Sequence, residues 1–173
     1  MEVIIIVAVS KHNNGIGKNN DLLWHLPADM KFFKEQTTGY PVITGRKNYE
    51  SIPEKFRPLP KRENIIITRQ EIDYPNAEVC GSIEEALNLA ASYKKEKIFV
   101  IGGGEIYKQF LDKDLIDRVM ITWVDAKLEA DVFFPKLNSN WELCKQSQYN
   151  PDEKNQYEFT FSEYKKRQTT IDQ

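Results

Sequence analysis

Asp29 is followed at intervals of four by Phe33 and Thr37 within LLWHLPADMKFFKEQT, residues 22–37. Side chains four apart stack on one side of an α-helix. An acid, an aromatic ring and a hydroxyl therefore share a face that Met30 and Phe33 mark as core-facing. A carboxylate on such a face needs a partner, either a cation of the chain or a ligand with paired N–H donors. This makes the helix the first candidate for a binding site. A second reading stays open: Pro27 suits the first helical position, and an acid in the first turn satisfies free amides and the positive helix end.

Two other groups of residues could hold a ligand. Ile101-Gly102-Gly103-Gly104-Glu105-Ile106-Tyr107 places three glycines between a buried strand and a helix start, which lets backbone approach a phosphate or a flat ring. The motif is not GxGxxG, and tight packing is the competing explanation. Glu105 carries the same sign as an anion, so the amides of Gly103 and Gly104 are the expected contacts. Gly45-Arg46-Lys47 follows the run PVIT and Arg69 follows NIIIT. Three cations thus stand at two strand ends, where doubly wound sheets bind their ligands. Ordinary solvated loop charges are the alternative.

These groups must be positioned by elements that the sequence also announces. Unbroken apolar runs at 3–9, 41–44, 64–68 and 97–101 suit strands covered on both faces. Helices are expected between them, at 27–37, 82–93 (opened by a Ser82-Ile83-Glu84-Glu85 capping box), 47–51 and 105–111. After Asp117 the pattern turns to strands, at 118–124, 132–134, 141–149 and 157–164, the last two a hairpin added at the sheet edge. The expected fold is a single α/β domain over residues 1–165, with a central mostly parallel sheet ending in an antiparallel hairpin and about four flanking helices. Residues 166–173 read as a polar, frayed tail.

Composition narrows the chemistry. A chain of 173 residues with 40% hydrophobic content supports one well-buried core. With 24 basic and 26 acidic residues in mixed order, it carries no electrostatic footprint for nucleic acid or an anionic membrane. His12 and His25 are the only histidines and lack metal-ligand spacing, so neither a metal site nor a Ser/His/Asp triad is expected. Cys80 and Cys144 read as reduced core thiols. The apolar start MEVIIIVAVS lacks a basic leader and a cleavage site and reads as a buried strand.

Taken in order, Ile16-Gly17, Leu22, Leu23-Trp24, Asp29, Phe33 and Thr37, then Gly45-Arg46, Ser51-Ile52, Arg57-Pro58-Leu59-Pro60, Ile101 to Gly104, and Asp131 through Phe134-Pro135 resemble the signature of the dihydrofolate reductase family. The resemblance runs from residue 3 to about residue 165. Leu23 stands where the family usually has proline and Asn48 where it usually has threonine; neither change removes a catalytic group.

The resemblance implies NADPH-dependent reduction of 7,8-dihydrofolate to tetrahydrofolate. Asp29 would hold the pteridine through N3 and the 2-amino group, with Thr122 bonded to that network, while Leu22 and Trp24 shape the loop closing over the site. Val7, Ala8 and Phe33 would pack on the substrate, Ile52 and Leu59 would line the benzoyl pocket, and Arg62 would pair with the glutamate α-carboxylate. Ala8, Ile16, Gly17, Ile101 and Tyr107 would surround the nicotinamide. Gly45, Arg46, Lys47, Asn48, Thr68, Arg69, Gly102, Gly103, Gly104, Glu105 and Ile106 would hold the rest of the cofactor, and Gly102 and Gly103 would be joined by a cis peptide. A loop containing Gly15, Gly17, Lys18, Asn19 and Asn20 suits gating. A cytoplasmic monomer acting on a small molecule, with no nucleic-acid or membrane partner, is the expected setting. Two rivals are a same-fold reductase of riboflavin biosynthesis and a non-catalytic nucleotide-binding module. Asp29 together with Arg62 argues against both.

Overall fold

The computed structural model describes residues 1–168. Its centre is an eight-stranded sheet built on β1 (Glu2–Ser10), whose residues are nearly all apolar and which is therefore covered on both faces. One parallel neighbour of β1 is β6 (Lys97–Gly102), and beyond it lie β3 (Val42–Gly45), β4 (Asn64–Ile67) and the short β5 (Glu78–Cys80). Its other neighbour is β7 (Arg118–Val124), also parallel. The edge beyond β7 is antiparallel: β10 (Phe159–Lys166) pairs with β7, and β9 (Trp141–Tyr149) pairs with β10. The strand order is β5-β4-β3-β6-β1-β7-β10-β9, so the carboxyl ends of β3, β6, β1 and β7 lie side by side. A separate two-stranded ribbon joins β2 (Gly15–Gly17) to β8 (Val132–Phe133).

Four helices flank the sheet: α1 (Pro27–Thr37), α2 (Arg46–Ser51), α3 (Ile83–Ser92) and α4 (Gly104–Asp112). α3 starts as its sequence dictates, because the Ser82 hydroxyl accepts from the Glu85 amide at 3.1 Å. The reciprocal arm reaches one residue further back than a capping box requires, with the Glu85 carboxylate accepting from the Gly81 amide at 3.0 Å. The core lies mainly between the sheet and α3 and α4, where Ile5, Ile43, Ile65, Ile98 and Val100 meet Ala86, Ala90 and Phe110. No helix among the described residues is long and apolar enough to cross a membrane.

Three expectations change. Cys80 is buried, but Cys144 is exposed, because β9 is the outermost strand and turns outward on both sides. Met30 is 50% exposed, on the solvent side of α1 with Lys31, Lys34 and Glu35. The last strand reaches Lys166, and the tail expected beyond it falls largely on residues 169–173, outside the described residues.

Candidate active site

Asp29, Phe33 and Thr37 do share one face of α1, and Thr37 is fully buried there. Eight residues separate the first from the last, a span of about 12 Å along the helix. At the amino end, the Asp29 carboxylate accepts a hydrogen bond of 2.6 Å from the hydroxyl of buried Thr122 on β7. Strand register supplies that hydroxyl, since Thr122 sits beside Ala8 of β1 and Phe161 of β10. Asp29 does lie in the first turn of α1, but its carboxylate bonds across to β7 and, among the described residues, accepts from no helix amide. Among the described residues, no Lys, Arg or His pairs with Asp29. Burial raises its pKa from 3.8 to about 6, against the opposing pull of the Thr122 hydrogen bond. A buried acid raised by burial, with no cation beside it among the described residues, is a group prepared for a ligand's N–H donors.

The other end of the face is built around Arg62. Its Nη1 donates to the Thr37 hydroxyl at 2.9 Å and its Nε to the carbonyl of Pro60 at 2.9 Å. Thr37 in turn donates to the carbonyl of Phe33. Burial lowers the Arg62 pKa from its usual value. The loop carrying Leu59 and Arg62 is clasped by Asn64, whose amide oxygen accepts from Leu59 N and whose amide nitrogen donates to the carbonyls of Leu59 and Arg62. Sequence reasoning passed over Asn64, which reads only as the first residue of NIIIT. Phe33, Leu59 and Ile101 pack on one cluster with Ile4, Ile6, Val42 and Phe99, an apolar stretch that Phe33 joins to the α1 face carrying Asp29 and Thr37. Val7 and Ala8 are half-buried on β1, and Ile52 is half-buried at the end of α2.

The glycine turn between β6 and α4 contains a cis peptide between Gly102 and Gly103. Each glycine has its own reason. Gly102 has φ +120, and a side chain there would lie 3.1 Å from the Tyr107 hydroxyl, which is itself anchored on the carbonyl of Ile6. A methyl on Gly104 would meet Val132 at 2.9 Å, so this position serves packing. Gly103 differs, since a methyl there meets nothing within 4 Å. Open space thus lies in front of the amino end of α4, which no side chain caps. Ile106 touches the edge of Gly45, Ile16 approaches Gly104, and Glu105 points outward to Gln109.

Cations are brought to the same edge. Arg46 opens α2 and donates to Glu50 at 3.0 Å; the other oxygen of Glu50 accepts from the Tyr74 hydroxyl at 2.5 Å. Burial, with the Glu50 carboxylate next, pushes the Tyr74 pKa up to about 12. Tyr74 also sets its ring edge against Tyr49 of α2 at 5.0 Å, docking the 68–77 loop on the helix. Glu50 and Tyr74 were invisible in the sequence, where neither stands in a motif. Arg69 leaves this loop exposed after Thr68, whose hydroxyl accepts from Gln70 N, and no ion pair forms on Arg69 among the described residues. Lys47 is exposed. Asn48 turns inward, donating to the Thr44 hydroxyl at 2.9 Å and the Ile101 carbonyl at 3.2 Å, and so fastens β3 to β6.

Residues 11–23 are more tied down than a glycine-rich loop suggests. Gly15 and Gly17 are strand residues against β8, and a methyl on Gly15 would come within 2.6 Å of Ala130. Gly17 O accepts from Asp131 N, and the Asp131 carboxylate accepts from Asn19 N, each at 2.9 Å. Lys18 pairs with Glu129 at 2.6 Å. Beyond this ribbon Leu22 is 66% exposed, while Trp24 packs beside Leu26 and Val124.

The chain matches the family model described as Dihydrofolate reductase over residues 2–166. It is 43% identical over 162 residues to the dihydrofolate reductase of Haemophilus influenzae, covering 93% of this chain and 96% of that protein. It is 39% identical over 161 residues to the dihydrofolate reductase type 3 of Salmonella typhimurium, covering 92% and 95% of the two chains. For the dihydrofolate reductase of Bacillus subtilis the identity is 38% over 160 residues, covering 91% of each. The Asp29–Thr122 pair at one end of the α1 face, Arg62 bonded to Thr37 at the other, the glycine turn before α4 and these full-length likenesses lead to one conclusion: the chain belongs to the dihydrofolate reductase family.

Proposed function

We propose that this chain reduces 7,8-dihydrofolate to 5,6,7,8-tetrahydrofolate with NADPH, and that Asp29 is its central catalytic group. The observation that carries this reading is the Asp29–Thr122 pair, an acid raised to about 6 with no cation beside it among the described residues, on the helix face whose far end Arg62 holds through Thr37. Asp29 would accept from N3–H and the 2-amino group of the pteridine, whose paired donors favour its ionised form. Holding that end of the ring raises the basicity of N5, which takes its proton from water. Phe33, Leu59, Ile52, Val7 and Ala8 would fix the ring and the benzoyl group, and Arg62 would pair with the α-carboxylate. Leu22 and Trp24 would close over the ring and exclude bulk water.

NADPH fits the donor set on the opposite side: open space at Gly103, the uncapped amino end of α4, and Arg46 and Arg69 beyond. When bound it supplies the hydride delivered to C6. Gly103 and Gly104 would offer amides to it, Ile16, Ile101 and Tyr107 would shape its nicotinamide pocket, and Arg46 and Arg69 would hold the 2′-phosphate. We place the working enzyme as a monomer in the cytoplasm with no nucleic-acid partner, a setting supported by a mixed surface and a net charge of −2. The direct test follows NADPH absorbance on adding dihydrofolate. A steady fall is expected, and a flat trace with folded protein defeats the reading.

Two variants probe the cofactor side. Arg69→Ala and Arg46→Ala should each weaken the preference for NADPH over NADH by about 10-fold to 100-fold, the worth of one charge-assisted contact at 1.5 to 3 kcal/mol. Equal use of both cofactors by the parent protein removes this assignment. Gly103→Ala should melt within about 2 °C of the parent, because the methyl clashes with nothing and φ is −84. Its KM for NADPH should rise several-fold. An unchanged KM would show that the cofactor does not occupy the space in front of Gly103.

A further inference from the structure

Helix α1 presents Asp29, yet its own sequence does not cap it. Leu26, in the cap position, is buried against Val124, Ala126 and Phe159 and offers no hydrogen-bonding side chain. Pro27 has no N–H, so the amide of Ala28 is the first in the helix, immediately before Asp29. That amide donates at 3.0 Å to the side-chain oxygen of Asn155, in the loop between β9 and β10. Asn155 is 6% exposed and is itself held in place. Its backbone N and side-chain Nδ2 donate to one oxygen of Asp152, at 2.7 and 3.0 Å, and Lys154 N donates to the same oxygen at 2.9 Å. The carbonyl of Asn155 accepts from Asp152 N at 2.9 Å. The side-chain Nδ2 is thereby held on Asp152, which orients the side-chain oxygen toward α1.

The strand that follows completes the frame. Phe161 of β10 stacks on Phe32 of α1 at 4.2 Å, and Phe161 also lies in register with Thr122 on β7. One hairpin therefore touches both partners of the Asp29–Thr122 hydrogen bond, α1 through Asn155 and Phe32, and β7 through strand pairing. We propose that Asn155, oriented by Asp152, is a positioning residue that sets the first turn of α1 and so holds the Asp29 carboxylate at Thr122. The proposal builds on the catalytic role assigned above to Asp29.

The test reads the acid itself as well as turnover. Asn155→Ala should lower kcat/KM for dihydrofolate about tenfold, a cost of misplacing the acid rather than removing it, and leave KM for NADPH within about twofold. In the protein without ligands, the Asp29 carboxyl carbon, followed by NMR, should titrate lower than in the parent by about half a unit or more, because water reaching it relieves the burial that raises its pKa, the larger effect, and this outweighs a weakened Thr122 hydrogen bond. Asp152→Ala, which keeps Asn155 but removes its anchor, should move both readings in the same direction. Asp152→Asn, which keeps an acceptor oxygen, should restore them.

Should Asn155→Ala fail to fold, the two Asp152 variants decide the matter by the same measurements. A lower melting temperature with unchanged titration and unchanged kcat/KM would overturn the proposal and leave Asn155 a structural cap. The titration needs no turnover. A parent that failed to reduce dihydrofolate would defeat the proposed reaction, while the position of Asp29 would still be read from the NMR titration.

Discussion

Asp29→Asn should fold, melt higher than the parent above neutral pH, and turn over dihydrofolate about 10²-fold to 10³-fold more slowly, the cost of removing one preorganised electrostatic group. Asparagine keeps the size of the side chain and can still accept the Thr122 proton, but it cannot carry charge against a protonated pteridine. The sign of the stability change follows from burial. The carboxyl is shifted from 3.8 unfolded to about 6 folded, so the parent has this group's full stability below 3.8, loses it as pH rises to about 6, and stays penalised above. The penalty is of order 3 kcal/mol at most, so the variant should gain about 1 to 3 kcal/mol above pH 7 and nothing near pH 3. Thermal melts across that range, paired with steady-state rates, check both halves. Turnover should recover partly at low pH, where substrate arrives already protonated. Unchanged turnover per folded molecule would make Asp29 a structural group and overturn the reaction proposed here.

What was legible in the sequence is what local pattern can carry. Pro27 fixes where α1 begins, and the bounds 27–37 stand as read; β7 at 118–124 and β9 at 141–149 also stand, each long enough to show its pattern. β2 and β5 were missed because three residues hold too little pattern to be seen, and Gly15 and Gly17 read as freedom where they serve close packing. Cys144 was misplaced for a related reason. A strand of ordinary composition does not reveal from its own residues that nothing pairs with its outer edge.

The site divides the same way. Asp29 stood out because an acid on an apolar face is locally odd, and Arg62 was reached only through resemblance. Asn64, Glu50 and Tyr74 act through partners that folding brings together, such as Tyr74 with Glu50 24 residues earlier. Positioning residues carry no signature because their chemistry is ordinary hydrogen bonding. Only the fold shows which carbonyl, amide or guanidinium they hold.

Arg62→Ala should raise KM for dihydrofolate about 10-fold to 100-fold, since a charge-assisted contact with a carboxylate is worth about 1.5 to 3 kcal/mol. Arg62 is well placed for this: Thr37 and the Pro60 carbonyl take Nη1 and Nε, which fixes the plane of the guanidinium and, among the described residues, leaves Nη2 without a hydrogen bond. Burial also lowers its pKa, so a carboxylate that pairs with it relieves a desolvated charge. Because Arg62 bonds to buried Thr37, whose hydroxyl keeps its donation to the Phe33 carbonyl, its removal costs one part-buried contact, and some loss of melting temperature is expected. A truncated substrate separates the two effects. A dihydropterin lacking the glutamate has nothing for Arg62 to hold, so the variant and the parent should reduce it with equal kcat/KM. Thr37→Val, which keeps the guanidinium but frees one of its nitrogens, should raise KM for dihydrofolate by a smaller factor and leave the dihydropterin rate unchanged. If Arg62→Ala slows both substrates alike, the residue acts by shaping α1 and the carboxylate of dihydrofolate is held elsewhere.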